Sequence, residues 1–342
     1  MTESPPIEDY ALLGDTTTAA LVSRSGSLDW LCAPRFDSPA CFAALLGGPE
    51  HGRWLIAPAA APRAVRRRYR AGTLVLETEF ETGEGAVRLI DFMHCPPRDE
   101  GVDVVRIVQG VRGTVPMRME MTMRFDYGRI VPWVRREEGG LRAVAGPESL
   151  RLRAPVELEN KDFATQARFS IASGQRAAFA LSWGPSYRPL PEAPDAERAL
   201  ESTDAWWRKW SRRYAGEGPW RDAVLRSLLT LKALTYAPTG GIVAAPTTSL
   251  PERLGGDRNW DYRFCWLRDA AFTLDVLLTS GYRDEARAWR DWLLRAVAGR
   301  PEQLQVMYGI AGERRLQEME LDWLPGYARS APVRIGNGAH GQ

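Results

Sequence analysis

From Met117 to Tyr127 the chain reads Met-Arg-Met-Glu-Met-Thr-Met-Arg-Phe-Asp-Tyr, apolar at every odd position and polar at every even one. Side chains alternate between two faces with period two only in a strand, so this segment predicts a half-buried antiparallel strand with one face on a core. Its methionines invite a metal or redox reading, but a stripe on one strand face is more simply core. Further strands are expected over Leu74–Phe80, Ala86–Phe92, Val104–Val111, Ala167–Ile171 and Ala177–Trp183, between Gly, Pro and Asp breaks. Together they predict an antiparallel β-sandwich over residues 1–194.

Near residue 195 the period becomes helical. Ala196–Tyr214, with Trp206, Trp207, Trp210 and Tyr214 at three- and four-residue spacings, reads as a linker helix (195–214) laying aromatics against the regions on both sides. Helices are expected over Trp220–Tyr236, Arg268–Thr279 and Arg283–Ala298, with a Pro/Gly/Thr-rich loop over Ala237–Asp257. No internal repeat is evident. The chain is therefore multidomain, β then α, as its 342 residues favour.

Composition narrows the partners. Basic and acidic residues nearly cancel, 45 against 43, which removes the footprint of a nucleic-acid binder. The one basic run, Arg66-Arg67-Arg68-Tyr69-Arg70, leads into a strand and reads as a solvated face. No apolar run approaches a membrane span, and the start, Met1-Thr2-Glu3-Ser4-Pro5-Pro6, has no leader pattern, so a cytoplasmic location is expected. Cys32, Cys41, Cys95 and Cys265 are too dispersed for a paired metal motif, and His51, His94 and His340 form no ligand-spaced pair. Free buried thiols are expected, with no metal. Gly47-Gly48-Pro49 and Gly255-Gly256-Asp257 lack the spacing and lysine of a phosphate loop, so no cofactor is expected either.

The chemistry concentrates in Asn259-Trp260-Asp261-Tyr262-Arg263-Phe264-Cys265-Trp266-Leu267-Arg268-Asp269. Aromatic faces cover the apolar faces of a pyranose, while guanidinium and carboxylate make charge-assisted hydrogen bonds to its hydroxyls. Ala270-Ala271-Phe272-Thr273-Leu274 continues at helical spacing, so the polar group sits where a loop enters a helix. The competing reading is a buried Arg–Asp pair that braces the helix start.

This window resembles glycoside hydrolase family 15, the glucoamylase, glucodextranase and bacterial trehalase-like family, whose Tyr-x-x-x-Trp-x-Arg-Asp pattern is met by Tyr262, Trp266, Arg268 and Asp269. Ile7–Tyr10 through Gly14-Asp15, Gly26–Cys32 and Pro34–Pro39 are similar to the N-terminal domain of bacterial members. Tyr308–Ile310, Gly312–Arg314 and Pro332–Asn337 are similar to the family in the same order. The resemblance implies that 215–342 is the first part of an (α/α)6 toroid with its pocket formed by loops at one end, the Ala237–Trp266 loop among them. Twelve helices at ~12 residues with ~5 per connection need roughly 200 residues. An incomplete toroid is therefore expected, in a truncated or interrupted family member.

The resemblance also implies an inverting hydrolase of α-glucosidic bonds, with acid and base glutamates in the second half of the toroid and so no catalytic residue here. Glu313, Glu318, Glu320 and Asp322 form a charged run expected to face solvent or neighbouring helices. The implied substrate-binding residues are Tyr262, Trp266, Arg268 and Asp269, with Arg334 from the Pro-Val-Arg-x-Gly-Asn segment. Ala328-Arg329-Ser330 departs from the Gly-Ser usual before that segment. Trp260, Asp261 and Trp323 read equally as packing residues, while Arg35 and Asp37 either approach the pocket mouth or brace a turn. The expected partner is an α-glucoside or oligosaccharide, whether trehalose, maltooligosaccharide, isomaltose or dextran, with neither nucleic acid nor membrane; a homo-oligomer stays open. The alternative is a noncatalytic carbohydrate- or partner-binding protein derived from that family.

Overall fold

The computed structural model describes residues 4–98 and 101–341. Its first part is a network of fifteen antiparallel strands. These are β1 (Tyr10–Gly14), β2 (Ala19–Ser23), β3 (Ser27–Cys32), β4 (Ala40–Phe42), β5 (Arg53–Pro58), β6 (Ala64–Tyr69), β7 (Leu76–Glu81), β8 (Gly85–Met93), β9 (Val102–Thr122), β10 (Trp133–Glu137), β11 (Gly140–Ala145), β12 (Glu148–Arg153), β13 (Glu159–Lys161), β14 (Ala164–Ala172) and β15 (Arg176–Pro185).

The long strand β9 organises this network. Its first half runs between β8 and β15, its second between β5 and β14. One strand thus belongs to two sheets, and both contribute to a single core containing Trp54, Phe80, Leu89, Val104, Met119, Leu150 and Phe179. The alternating Met117–Tyr127 segment supplies the second half: Met117, Met119 and Met121 are fully buried, and the strand ends at Thr122. Beyond it Met123 and Phe125 stay buried while the chain turns through Asp126 and Tyr127 at positive φ.

The strand expected separately at Val104–Val111 is the first half of this same β9. The chain between the halves bulges instead of turning: Val111 is left unpaired opposite β8, and Gly113, two residues on, pairs with Gly85. Gly113 sits at φ +66°, where a Cβ would lie 2.1 Å from the Glu84 carbonyl oxygen, and the register against β8 shifts between Ala86 and Val87. The first strands gave no alternating signal because β2 and β3 are buried at every position.

A buried charge ties the two sheets. Arg106, in the first half of β9, pairs with Asp91 on β8 (2.8 Å) with both side chains fully buried. It also donates to the carbonyls of Trp54 and Gly26 from the other sheet (2.5 and 2.7 Å) and lies over the Trp54 ring. Each of the three guanidinium nitrogens therefore donates at least once, which helps the fold tolerate such a charge.

Asp15, between β1 and β2, is buried with no cationic partner among the described residues. Its Oδ1 accepts from Thr17 N, Thr17 Oγ1 and Thr18 N at 2.7–2.9 Å. Burial outweighs these bonds and raises its pKa from 3.8 to about 6. Between those values the folded chain holds a proton that the unfolded chain has released, so stability falls as pH rises through that window and then levels. Asp15→Asn keeps the acceptor oxygen and removes the titration. Urea midpoints measured from pH 4 to 7 should lose this downward component in the variant; parallel curves for both proteins would refute it.

Four α-helices follow among the described residues: α1 (Ala196–Ser211), α2 (Arg221–Ala233), α3 (Leu267–Thr279) and α4 (Arg283–Ala296). The Asp195 carboxylate caps α1 by accepting from Arg198 N at 2.9 Å. Ala199 and Leu200 pack on Val75, Ile90 and Val105 of the β region. Two turns and more further along, Trp207 and Trp210 pack among Leu228, Leu277 and Tyr282. Trp210 stacks on Tyr282 at 4.0 Å and donates to Glu285 at 2.6 Å. A three-residue connection makes α3 and α4 a hairpin whose inner face holds Leu274, Trp289 and Trp292. Its other side leaves Phe272, Val276 and Leu294 exposed. The described residues after α4 form short turns and two-residue strand pairs instead of further α-helices. Among the described residues no helix is long and apolar enough to cross a membrane.

Candidate functional site

The loop entering α3 is built as two antiparallel legs. Backbone bonds Ala244 N to Phe264 O, Ala245 N to Tyr262 O and Ser249 N to Trp260 O join residues 244–249 to 260–264. Cys265-Trp266 then pairs with Met307-Tyr308, and Leu267 N donates to Val306 O. The first turn of α3 is thereby held from two sides. Asp269 lies in that turn, where a carboxylate complements the helix dipole.

Arg268 and Asp269 do not form the buried brace that was the competing reading. The Arg268 side chain is 80% exposed, and its Nε stands 3.5 Å from Asp269 Oδ2, a loose pair. That Oδ2 is nonetheless shielded from solvent and has no hydrogen-bond partner among the described residues, and the same holds for Trp266 Nε1. An unmade bond at such an atom costs about 1–3 kcal/mol. Burial raises the pKa of the Tyr262 phenol, Glu252 and Asp269 add to the rise, and Arg258 opposes it. Tyr262, Arg268 and Asp269 thus share one electrostatic neighbourhood, with Trp266 at the helix entrance.

The buried Arg–Asp pair lies one turn of chain earlier. Arg263 grips Asp261 through Nε–Oδ1 (2.9 Å) and Nη2–Oδ2 (2.6 Å), with both side chains at most 1% exposed. Its Nη1 donates to Ser38 O at 3.0 Å and approaches Phe36 O and Cys32 Sγ at 3.4 Å, and the guanidinium lies over Tyr127. Asp261 also accepts from Gly336 N. This pair joins the α3 loop to the β region on one side and to the chain's last segment on the other.

Arg334 is engaged elsewhere. It pairs with Glu320 and Glu318 (3.1 and 3.5 Å), donates to Asp257 O, and lies 4.7 Å over the Trp260 ring. Its partners are thus not those of Arg268 and Asp269. Preceding it, Ala328 and Arg329 occupy positive φ, 48° and 61°, where the Gly-Ser of the usual pattern would place a glycine without strain. Trp323 donates to Tyr127 O at 3.1 Å, a packing role. Arg35 does brace a turn, through two bonds to Asp37 (2.7–2.8 Å), and also reaches Glu313 at 2.8 Å across to the C-terminal part. Asp322 is exposed.

Asn259 escaped the sequence reading. It is fully buried, its amide donating to the carbonyls of Gly256, Ser330 and Pro332, which fastens the loop to the segment before Arg334. The only sequence signal was its place at the head of the aromatic window. Cavities of about 420–670 Å³ lie elsewhere, between α1 and α2, on the β sheets, and at the junction of Tyr236 with Trp183. The four cysteines are free and buried.

Two family models match the chain: a trehalase-like N-terminal domain over residues 2–206 and glycosyl hydrolases family 15 over residues 218–342. Among curated proteins it is 39% identical over 373 aligned positions to a trehalase of Mycolicibacterium smegmatis, which covers 99% of this chain and 55% of that protein. It is 37% identical to a trehalase of Mycobacterium tuberculosis (99% and 54%) and 33% identical to trehalase 1 of Sulfolobus acidocaldarius (98% and 57%). The chain therefore spans about half the length of these relatives. Among solved structures, a bacterial glucoamylase complexed with acarbose superposes with a TM-score of 0.64 at 11% identity, over 91% of this chain and 53% of that one, a likeness of fold.

Proposed function

The chain belongs to glycosyl hydrolase family 15 and carries that family's trehalase-like N-terminal domain, and from this we propose that it contributes the sugar-holding half of an inverting α-glucoside hydrolase of trehalase type. The observation that carries the reading is the pair of shielded, unpartnered polar atoms at the α3 entrance, Trp266 Nε1 and Asp269 Oδ2. One donor and one acceptor, already desolvated and beside an exposed guanidinium, suit the hydroxyl edge of a glucosyl ring. Asp269 accepts from one hydroxyl, Arg268 swings from its loose pair to another, and Tyr262 and Trp266 form the wall. Arg334 acts one layer out, holding Trp260 and the loop. Trehalose is the first substrate to test, because the relatives at 39% and 37% identity are named trehalases.

On this reading residues 1–194 are the N-terminal β domain, 195–214 the linker helix, and 215–342 the first part of an (α/α)6 toroid. Hydrolysis with inversion needs an acid and a base about 6.5–9.5 Å apart. Both are assigned to the family's later toroid residues, outside these 342. The segment alone then binds without turnover, and the exposed Phe272–Leu294 side of the hairpin is where further helices would pack. A substrate panel tests this. Glucose release from trehalose, maltose and isomaltose is measured for the 342-residue chain and for a chain extended with the remaining catalytic-domain residues. Turnover of trehalose by the extended chain alone is the expected result; robust turnover by the short chain, or none by either, would overturn it.

A further inference from the structure

A cleft of about 510 Å³ opens on the β region between the end of β9, the start of β10 and the β13–β14 hairpin. This size lies within the range of small-molecule sites, about 300–1,000 Å³. Two of its walls are Trp133, 88% exposed, and Phe163, 81% exposed; no other large apolar side chain among the described residues is as exposed. Isolated exposed aromatics need no explanation, but two flanking one cleft do.

The backbone holds Phe163 there at a cost. Asp162 and Phe163 are the two-residue connection of the β13–β14 hairpin, both at positive φ, 51° and 58°. That turn geometry is suited to Asn-Gly, and a bulky side chain adopts it rarely. Arg124 secures the tip: its Nη1 donates to Phe163 O at 3.2 Å and to Met123 O at 2.8 Å. Arg124 is only 9% exposed and lines the cleft, yet it has no carboxylate partner among the described residues. Beside it, Asn160 Oδ1 accepts from Thr165 Oγ1 at 3.0 Å, which leaves the Asn160 amide hydrogens free to face a ligand. The carboxylate of Asp162 and the ammonium of Lys161 stand exposed on the rim.

The ligand must satisfy both halves of this lining. An apolar segment would cover the rings and strand Arg124 and Asn160, while a small anion would answer Arg124 and leave two ring faces in water. A pyranose has an apolar face of C–H bonds and an edge of hydroxyls that both donate and accept. We propose that this cleft is a second saccharide site, separate from the α3 entrance, that stacks an α-glucan on Trp133 and Phe163 and bonds its hydroxyls to Arg124, Asn160 and Asp162.

Isothermal titration of the 342-residue chain with maltoheptaose tests the assignment. Trp133→Ala should weaken binding at least tenfold, Phe163→Ala should weaken it similarly, and Arg124→Lys should weaken it less. The exposed position of Trp133 means the unfolding midpoint of its variant should match the parent, which separates lost binding from lost fold. Asp269→Asn should leave the cleft isotherm in place, so failure at one site is distinguishable from failure at the other. No maltoheptaose binding by the parent chain, unchanged binding in both aromatic variants, or complete loss in Asp269→Asn alone would each overturn the proposal.

Discussion

Asp261→Ala should lower the unfolding free energy by about 3–5 kcal/mol, because it leaves the Arg263 guanidinium buried without its counter-charge. Arg263 is 1% exposed and has no route to solvent short of opening the contact between the α3 loop and the β region. Its remaining acceptors, the carbonyls of Ser38 and Phe36, are neutral and do not replace a bidentate carboxylate. The loss should also release Gly336 N, so the chain's last segment loosens with it. Urea unfolding followed by far-UV dichroism and by tryptophan fluorescence measures both effects. Replacing both partners with apolar residues of similar volume should recover much of the loss, since desolvation is then no longer opposed by an unpaired charge. A shift below about 1 kcal/mol for Asp261→Ala would mean that the pair does not bear the junction.

The second large effect concerns Asp269. In the chain extended through the catalytic domain, Asp269→Asn keeps the side-chain shape and removes a charged acceptor, at about 1.5–3 kcal/mol for a hydrogen bond to an ionised group. Because binding energy at a remote hydroxyl is used in the transition state, the loss should appear as roughly a 10- to 150-fold fall in kcat/KM for trehalose. Stability should hold, since Asp269 is half exposed and makes only a 3.5 Å pair with Arg268. Steady-state kinetics beside a thermal melt separates the two. An unchanged kcat/KM would refute the sugar clamp proposed at α3.

Local pattern carried the order of elements. The Met117–Tyr127 alternation marked a strand, the change of period near 195 marked the helices, and three of the four α-helices fall within the segments their spacing indicated, with shorter ends, while α3 starts one residue earlier, at Leu267. The window from Asn259 to Asp269 stood out by composition alone. Period and composition report what each residue does on its own element. They do not say which of two identical-looking pairs is buried, and so Arg268–Asp269 drew attention while Asp261–Arg263, separated by a single residue, became the bolt between regions. Nor did they join Val104–Val111 to Met117–Thr122 as one strand, because whether the chain turns at Gly110–Gly113 or only bulges at Val111 depends on β8 lying alongside. Arg334 followed the same rule: its sequence motif was visible, but Glu318, Glu320 and Trp260 claimed its charge. The sequence by itself determined the β-then-α order and the family, since both reside in local period and motif. Tertiary structure alone decided which charges are buried, because burial is a property of what packs against a residue and not of its neighbours in the chain.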